Sequence, residues 1–137
     1  MDVREDSTVT SPEQQPVGGD QQRSEFTVTQ PTEKVCVISV ACELDMVTTP
    51  TLDQLITQEL GNQHAVLLLD LSGCDFMGSS GLAVLMKARE HTTDSATRFA
   101  LAGLNRTVAR ALQAVGLESL FDVHPSIDAA LDSLDSG

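Results

Sequence analysis

The chain has 137 residues, a net charge of −12 from eight basic and twenty acidic side chains, and a hydrophobic fraction of 41%, yet only 3% aromatic residues: four Phe, no Trp and no Tyr. That length makes one domain, which hides roughly two-thirds of its unfolded surface on folding. The charge argues against nucleic acid and against an anionic membrane surface, which clustered Lys and Arg must neutralise, and the lack of aromatics leaves few groups on which bases stack. A protein partner with a basic face is the natural complement.

Residues 1–24 are rich in Asp, Gln, Ser, Pro and Gly, show no apolar periodicity and read as a disordered polar tail. The folded domain is therefore expected over 25–137. Phe26 to Thr29 alternates as a short strand, Gln30-Pro31-Thr32-Glu33 turns, and Lys34 to Ala41 forms a second strand antiparallel to the first. Thr49-Pro50 predicts a helix with Thr49 as N-cap and Pro50 in the first position; Leu52, Leu55, Ile56 and Leu60 follow at helical spacing and Gly61 ends it. Ala65 to Leu71 is a nearly unbroken apolar run, the pattern of a central strand covered on both faces. Ser79-Ser80-Gly81 opens a second helix with Leu82, Leu85 and Met86 on its buried stripe, and Arg98 to Ala102 is the next strand. Asn105 caps a third helix with Val108, Leu112 and Val115 inside and Gly116 as its stop. Leu120 to Val123 is a short edge strand, and Pro125 begins a last helix carrying Ile127, Ala130, Leu131 and Leu134. The order β-β-α-β-α-β-α-β-α predicts an α/β fold: a mixed, mostly parallel sheet of about five strands with about four helices and right-handed crossovers.

No apolar run approaches the ~20 residues that span a bilayer, and the polar N-terminus lacks the marks of a signal peptide, so a cytoplasmic location is expected. The three cysteines, Cys36, Cys42 and Cys74, fit neither a secreted disulfide framework nor a zinc motif. No P-loop, dinucleotide fingerprint or metal-ligand cluster is visible, and no cofactor or metal is expected.

Functional residues of open α/β sheets collect in the loops that leave the strand ends. Two loops stand out: Cys42-Glu43-Leu44-Asp45 after the second strand, and Gly73 to Gly81 after the central one. They share one end of the sheet if those strands pair in parallel. Ser79 or Ser80 there reads in two ways. Either side chain serves as an ordinary N-cap. Alternatively, one is a phosphoacceptor, because free amides and the helix dipole accommodate a phosphate while its charge repels a partner on that surface. A serine hydrolase needs a base within reach of the serine. His64 sits at the far end of the central strand, His91 lies roughly 16 Å along the second helix, and His124 has no catalytic-looking neighbours. Nor is Gly78-Ser79-Ser80-Gly81 a nucleophile elbow, so the chain is not expected to be an enzyme.

A strand, then Glu43-Leu44-Asp45, a helix, Asp70-Leu71-Ser72-Gly73, and Phe76-Met77-Gly78-Ser79-Ser80-Gly81-Leu82 together resemble the STAS domain family, whose best-known soluble members are bacterial anti-sigma factor antagonists. The resemblance runs from about Phe26 to Leu134. It implies a STAS domain over 25–137 that binds an anti-sigma factor of histidine-kinase-like ATPase fold and so releases a sigma factor. It further implies phosphorylation on the serine before the last Gly of a D-S-S-G motif, reversed by a phosphatase. Matched onto this chain, the acceptor is Ser80, Ser79 and Gly81 complete the motif, and Asp45 is the acidic residue of the neighbouring loop. Gly78 replaces the motif's usual Asp, and Cys42 replaces the usual Gly of G-E-L-D. A soluble STAS subunit of a lipid transporter is the alternative within the family. A monomer is expected.

The cysteines suggest a second switch. Cys36 and Cys42, six residues apart on one strand, lie about 20 Å apart and cannot form a disulfide within one monomer. Cys42 and Cys74 each follow a strand end, and a reversible disulfide between them is weighed against their packing as small buried side chains.

Overall fold

The computed structural model describes residues 25–93 and 95–136; the tail expected over 1–24 lies outside the described residues. The chain folds as β1 (Phe26–Thr29), β2 (Val35–Val40), α1 (Thr49–Gly61), β3 (Val66–Asp70), α2 (Ser79–Thr93), β4 (Arg98–Ala102), α3 (Arg106–Ala114), β5 (Asp122–His124) and α4 (Ile127–Ser136). One turn of 3-10 helix, Glu118–Leu120, precedes β5. This is the expected α/β order.

The sheet order is β1-β2-β3-β4-β5, identical to the chain order. β1 runs antiparallel to β2, and β2 through β5 are parallel. The linking helices α1, α2 and α3 pack into one core on a single face of the sheet, as successive crossovers of one hand in the same direction require. The period-2 alternation of the strands sorts their side chains accordingly. Cys36, Ile38, Val40, Leu67, Leu69, Phe99 and Leu101 join Leu52, Ile56, Leu85, Ala88, Val108 and Leu112 in the larger core. Val35, Val37, Val66, Leu68, Ala100 and Ala102 face the other way and are covered by α4 through Ala130 and Leu134. Burial of Val66 to Leu69 on both faces explains the unbroken apolar run of β3. The larger core is almost entirely aliphatic; within it, Phe99 meets Phe121 edge to face at 6.2 Å.

Several boundaries move. Helix α1 begins at Thr49 with Thr48 in the N-cap position, and Pro50 stands second rather than first. Thr48 does not cap with its side chain: its Oγ1 points back into the preceding loop, accepting the Asp45 amide at 3.1 Å and donating to Glu43 O at 2.7 Å. Gly61 is the last helical residue, and the left-handed turn falls on Gln63, φ 59°. The stripe of α2 buries Gly81, Leu85, Ala88 and Thr92, while Leu82 and Met86 are half-buried. Asn105 caps α3 as expected, its Oδ1 accepting the Val108 amide at 2.9 Å. Val115, expected inside, follows the helix and is 54% exposed, and the chain reverses at Gly116, φ 73°. Leu120 ends the 3-10 turn, so β5 begins at Asp122. Ser126 takes the start of α4 instead of Pro125; its hydroxyl accepts the Ala129 amide at 3.1 Å. Among the described residues, no helix is long and apolar enough to cross a membrane.

Leu69 is fully buried on the central strand. Leu69→Ala is expected to destabilise the domain by about 2–5 kcal/mol, measured by urea unfolding of the two proteins.

Candidate functional site

Parallel pairing of β2 with β3, in the register Val35 with Val66 through Ser39 with Asp70, brings the loops that follow them to one end of the sheet. The loops then pair with each other. The Leu44 amide donates to Phe76 O at 2.9 Å, and the Gly78 amide donates to Leu44 O at 2.9 Å, which makes a one-residue parallel bridge between Leu44 and Met77. Both side chains of that bridge are buried.

Local chemistry shapes each loop. In the first, the Asp45 carboxylate accepts the Val47 amide at 2.9 Å and the Thr48 amide at 3.1 Å, and the Asp45 amide donates to Thr48 Oγ1 at 3.1 Å. This short Asp-led turn feeds the chain into α1, as Asp side chains commonly do. The bonds from Thr48 and Val47 favour the ionised carboxylate and hold Asp45 below its ordinary value of 3.8. In the second loop, Asn105 donates to Cys74 O at 2.7 Å, so the cap of α3 also fastens this loop. Gly73 is required by space: a Cβ there would stand 2.9 Å from both Ala41 Cα and Val40 O.

The bridge ends where α2 begins. Gly78 gives its amide to Leu44 O and its carbonyl to the Leu82 amide at 3.1 Å, the first helical bond of α2. Gly78 therefore occupies the N-cap position, and neither Ser79 nor Ser80 is the capping residue. The serines are the first two residues of the helix, where amides lack partners within the helix. Ser79 is exposed and Ser80 half-buried. Neither hydroxyl has a hydrogen-bond partner among the described residues. Gly81, one turn in, is packed closely: a Cβ would lie 2.7 Å from Met77 Cγ and 3.0 Å from Leu44 Cβ. Gly78 is different. A Cβ there meets only Phe76 Cε2 at 3.4 Å and Leu44 O at 3.7 Å, so an Asp fits the position sterically.

Three exposed apolar side chains on the two bridged loops were missed in the sequence. Met46 and Val47, at the tip of the first loop, are each 83% exposed, and Phe76 in the second is 46% exposed. The signal for them was an apolar pair lodged in a turn of Asp and Thr, where a solvated loop has no use for it. Apolar groups beside acidic ones form a surface suited to a protein partner.

The structure places Cys42 and Cys74 on the expected loops, near enough for their charges to interact. Burial, followed by the nearby Glu25, Cys74 and Asp45, pushes Cys42 up to about 11. Burial likewise raises Cys74, whose Sγ lies 3.2 Å from Phe76 O. Both are thiols rather than thiolates near neutral pH, and the thiolate is the species that exchanges. His64 is paired with Glu59 at 2.9 Å beyond the other end of β3, while His124 ends β5 and is paired with Asp122 at 3.1 Å, two strands or about 10 Å across the sheet from β3. No described histidine bonds to Ser80. Away from these loops, the fold brings Cys36, Glu59 and His64 together, with one donor atom from each lying within 4.8 Å of the others.

A profile of the STAS domain matches residues 27–130, and the chain belongs to the STAS domain family. It is 27% identical over 103 residues to RsfB, an anti-sigma-F factor antagonist of Mycobacterium tuberculosis, covering 75% of this chain and 84% of that one. It is 29% identical over 103 residues to RsfA, a second anti-sigma-F factor antagonist of that species, covering 74% and 80%. Its fold superposes with TM-score 0.73 on the crystal structure of an anti-sigma factor antagonist from Mycobacterium paratuberculosis, at 31% identity over 80% of this chain and 92% of that one.

Two outcomes follow at the site. Gly81→Ala is expected to cost about 1–3 kcal/mol by overpacking Met77 and Leu44, read by thermal unfolding, whereas Gly78→Asp folds normally in the same assay. Because the folded state lowers the Asp45 pKa, the contribution of its turn is present above 3.8 and is lost as pH falls below that value. An NMR titration of the Val47 and Thr48 amides should show that acid transition, and Asp45→Asn should abolish it.

Proposed function

We propose that this chain is an anti-sigma factor antagonist whose activity is set by phosphorylation of Ser80. The docking face comprises Asp45, Met46, Val47, Phe76 and the helix start Gly78, Ser79, Ser80 and Gly81. Its partner is an anti-sigma factor of histidine-kinase-like ATPase fold. Docking there releases a sigma factor. The chain acts in the cytoplasm as a monomer and binds rather than catalyses; its serine is a substrate of the partner.

The observation that carries this reading is the Ser80 hydroxyl, unpartnered in the first turn of α2 on a face framed by Met46, Val47 and Phe76. Family membership and the names of the relatives support the same role. A phosphate on Ser80 meets the free amides of the first turn and the positive end of the helix dipole, so the fold accepts it. The phosphate also adds about −1.5 to −2 charges to the docking face. Apolar contacts around it would then have to close over a charged, hydrated group, at a cost that a partner can avoid by dissociating. A phosphatase restores the hydroxyl.

The missing Asp at position 78 leaves the N-cap without a side chain but does not close the approach to Ser80. The raised thiol pKa values of Cys42 and Cys74 favour phosphate over thiol chemistry as the switch.

The test is binding to the anti-sigma factor before and after incubation with it and ATP. Phosphorylation mapped to Ser80 by mass spectrometry should weaken binding at least about tenfold, or ~1.4 kcal/mol. Ser80→Ala should bind like the parent and resist modification, and Ser80→Asp should bind weakly. A phosphorylated chain that binds as tightly as the unmodified one sinks the reading. Affinity should be equal in oxidant and in reductant; a difference that disappears in Cys42→Ser would return the switch to the thiols.

A further inference from the structure

The parallel sheet has a second end. There β2 and β3 begin, and the segment that joins α1 to β3 turns. Cys36 is the second residue of β2, Glu59 lies in the last turn of α1, and His64 stands two residues before β3. Cys36 Sγ is 3.6 Å and His64 Nε2 is 2.9 Å from the same oxygen, Glu59 Oε1. Asn62 Nδ2 reaches that oxygen too, at 3.1 Å. A carboxylate oxygen has two lone pairs, so three potential donors converge on an acceptor with room for two. No described residue bonds to the other oxygen, Oε2. As a hydrogen-bond network this is oversubscribed at one atom and empty at the next. As a set of ligand atoms it is convergent.

We propose that Cys36, Glu59 and His64 form a zinc site, a function separate from the docking face. The three residues supply sulfur, oxygen and nitrogen, the donor types that zinc accepts, with a fourth position left for water or an external ligand. A thiolate in the set favours zinc over magnesium or calcium, which select oxygen-only surroundings. The charges balance: one thiolate and one carboxylate offset the two positive charges of the ion. On binding, the S–H bond of Cys36 breaks, its proton leaves to solvent, and a Zn–S bond forms with no change of oxidation state.

Two separations are close to what the ion requires, and the third, between Cys36 and His64, is within 4.8 Å. Tetrahedral zinc with bonds of about 2.0–2.3 Å sets its ligand atoms roughly 3.4–3.6 Å apart. The Cys36 to Glu59 separation of 3.6 Å already meets that. The His64 to Glu59 separation of 2.9 Å must open by about 0.5 Å, a side-chain adjustment made as the ion replaces their hydrogen bond. Cys36 is buried, while the side chains of His64 and Glu59 are 11% and 12% exposed. An ion therefore enters from the imidazole and carboxylate side and is then largely shielded. Bound there, it ties the end of α1 to β2 and to the chain entering β3. Helix α1 begins just after the Asp45 turn, so the metal and the docking face sit at opposite ends of one helix, about 15 Å apart along it.

Zinc alone is titrated into the reduced, metal-free full chain against a chromophoric chelator. One equivalent should bind. Cys36→Ser, Glu59→Gln and His64→Gln should each weaken it at least about tenfold, the loss that even an outer-shell change brings. Cobalt(II) substituted for zinc should give a near-ultraviolet sulfur-to-metal absorption that vanishes in Cys36→Ser and survives in Cys42→Ser and Cys74→Ser. Should the buried Cys36→Ser variant fail to fold, Glu59→Gln and His64→Gln, at partly exposed positions, decide the matter. Three results overturn the proposal: no competition with the chelator, zinc affinity unchanged in folded His64→Gln, or a cobalt absorption that depends on Cys42 or Cys74.

Discussion

Two backbone hydrogen bonds, from Leu44 to Phe76 and from Gly78 to Leu44, hold the loop end of this molecule in shape. Each contributes on the order of 1 kcal/mol, so their importance is positional rather than energetic. They extend the pairing of β2 and β3 past the strands and into their loops. The extension stops at Gly78, whose carbonyl then starts a helix, so the place where sheet pairing ends and helix begins is also where the serines emerge. Without the bridge, the Asp45 turn and the first turn of α2 would be independent loops. With it, both stand on the same buried pair, Leu44 and Met77.

Three glycines of the second loop show three different constraints. Gly73 is present because the main chain of β2 passes too close for any side chain, and Gly81 because Leu44 and Met77 fill the space beside it. Gly78 has room and no unusual backbone angle. Neither packing nor conformation therefore demands glycine at the N-cap of α2, although glycine is among the residues favoured there.

Periodicity carried the fold. Alternation in β2, the apolar run of β3 and the spacing of Val108 and Leu112 translate directly into which face is buried, so element order and sheet type could be read from the chain. Ends were less legible, for local reasons. Thr49 was expected to cap α1, but the Asp45 turn ends at Thr48 and helical geometry already begins at Thr49. Val115 keeps the helical spacing of α3, but the chain has already left the helix there. At the candidate site, Asp45, Ser79, Ser80, Gly81, Cys42 and Cys74 could be located because loops after parallel neighbours share an end. Met46, Val47 and Phe76 were passed over, since exposure of an apolar residue has no period and only the turn-forming company of Met46 and Val47 marks them. The Cys36, Glu59 and His64 group was invisible for a plainer reason: its members come from a strand, a helix and a turn, with no motif spacing to join them.

A sheet whose spatial order repeats its chain order has a consequence for how the molecule is made. As the chain leaves the ribosome, each new strand finds its neighbour already present, beginning with the β1-β2 hairpin and moving outward one crossover at a time. Pairings between strands next to one another in sequence keep loop closure short and folding quick. The arrangement has a late step all the same. The side of the sheet formed by Val35, Val37, Val66, Leu68, Ala100 and Ala102 waits for α4, the last helix to appear, and a nascent chain halted before residue 127 would display that apolar strip to solvent and to chaperones.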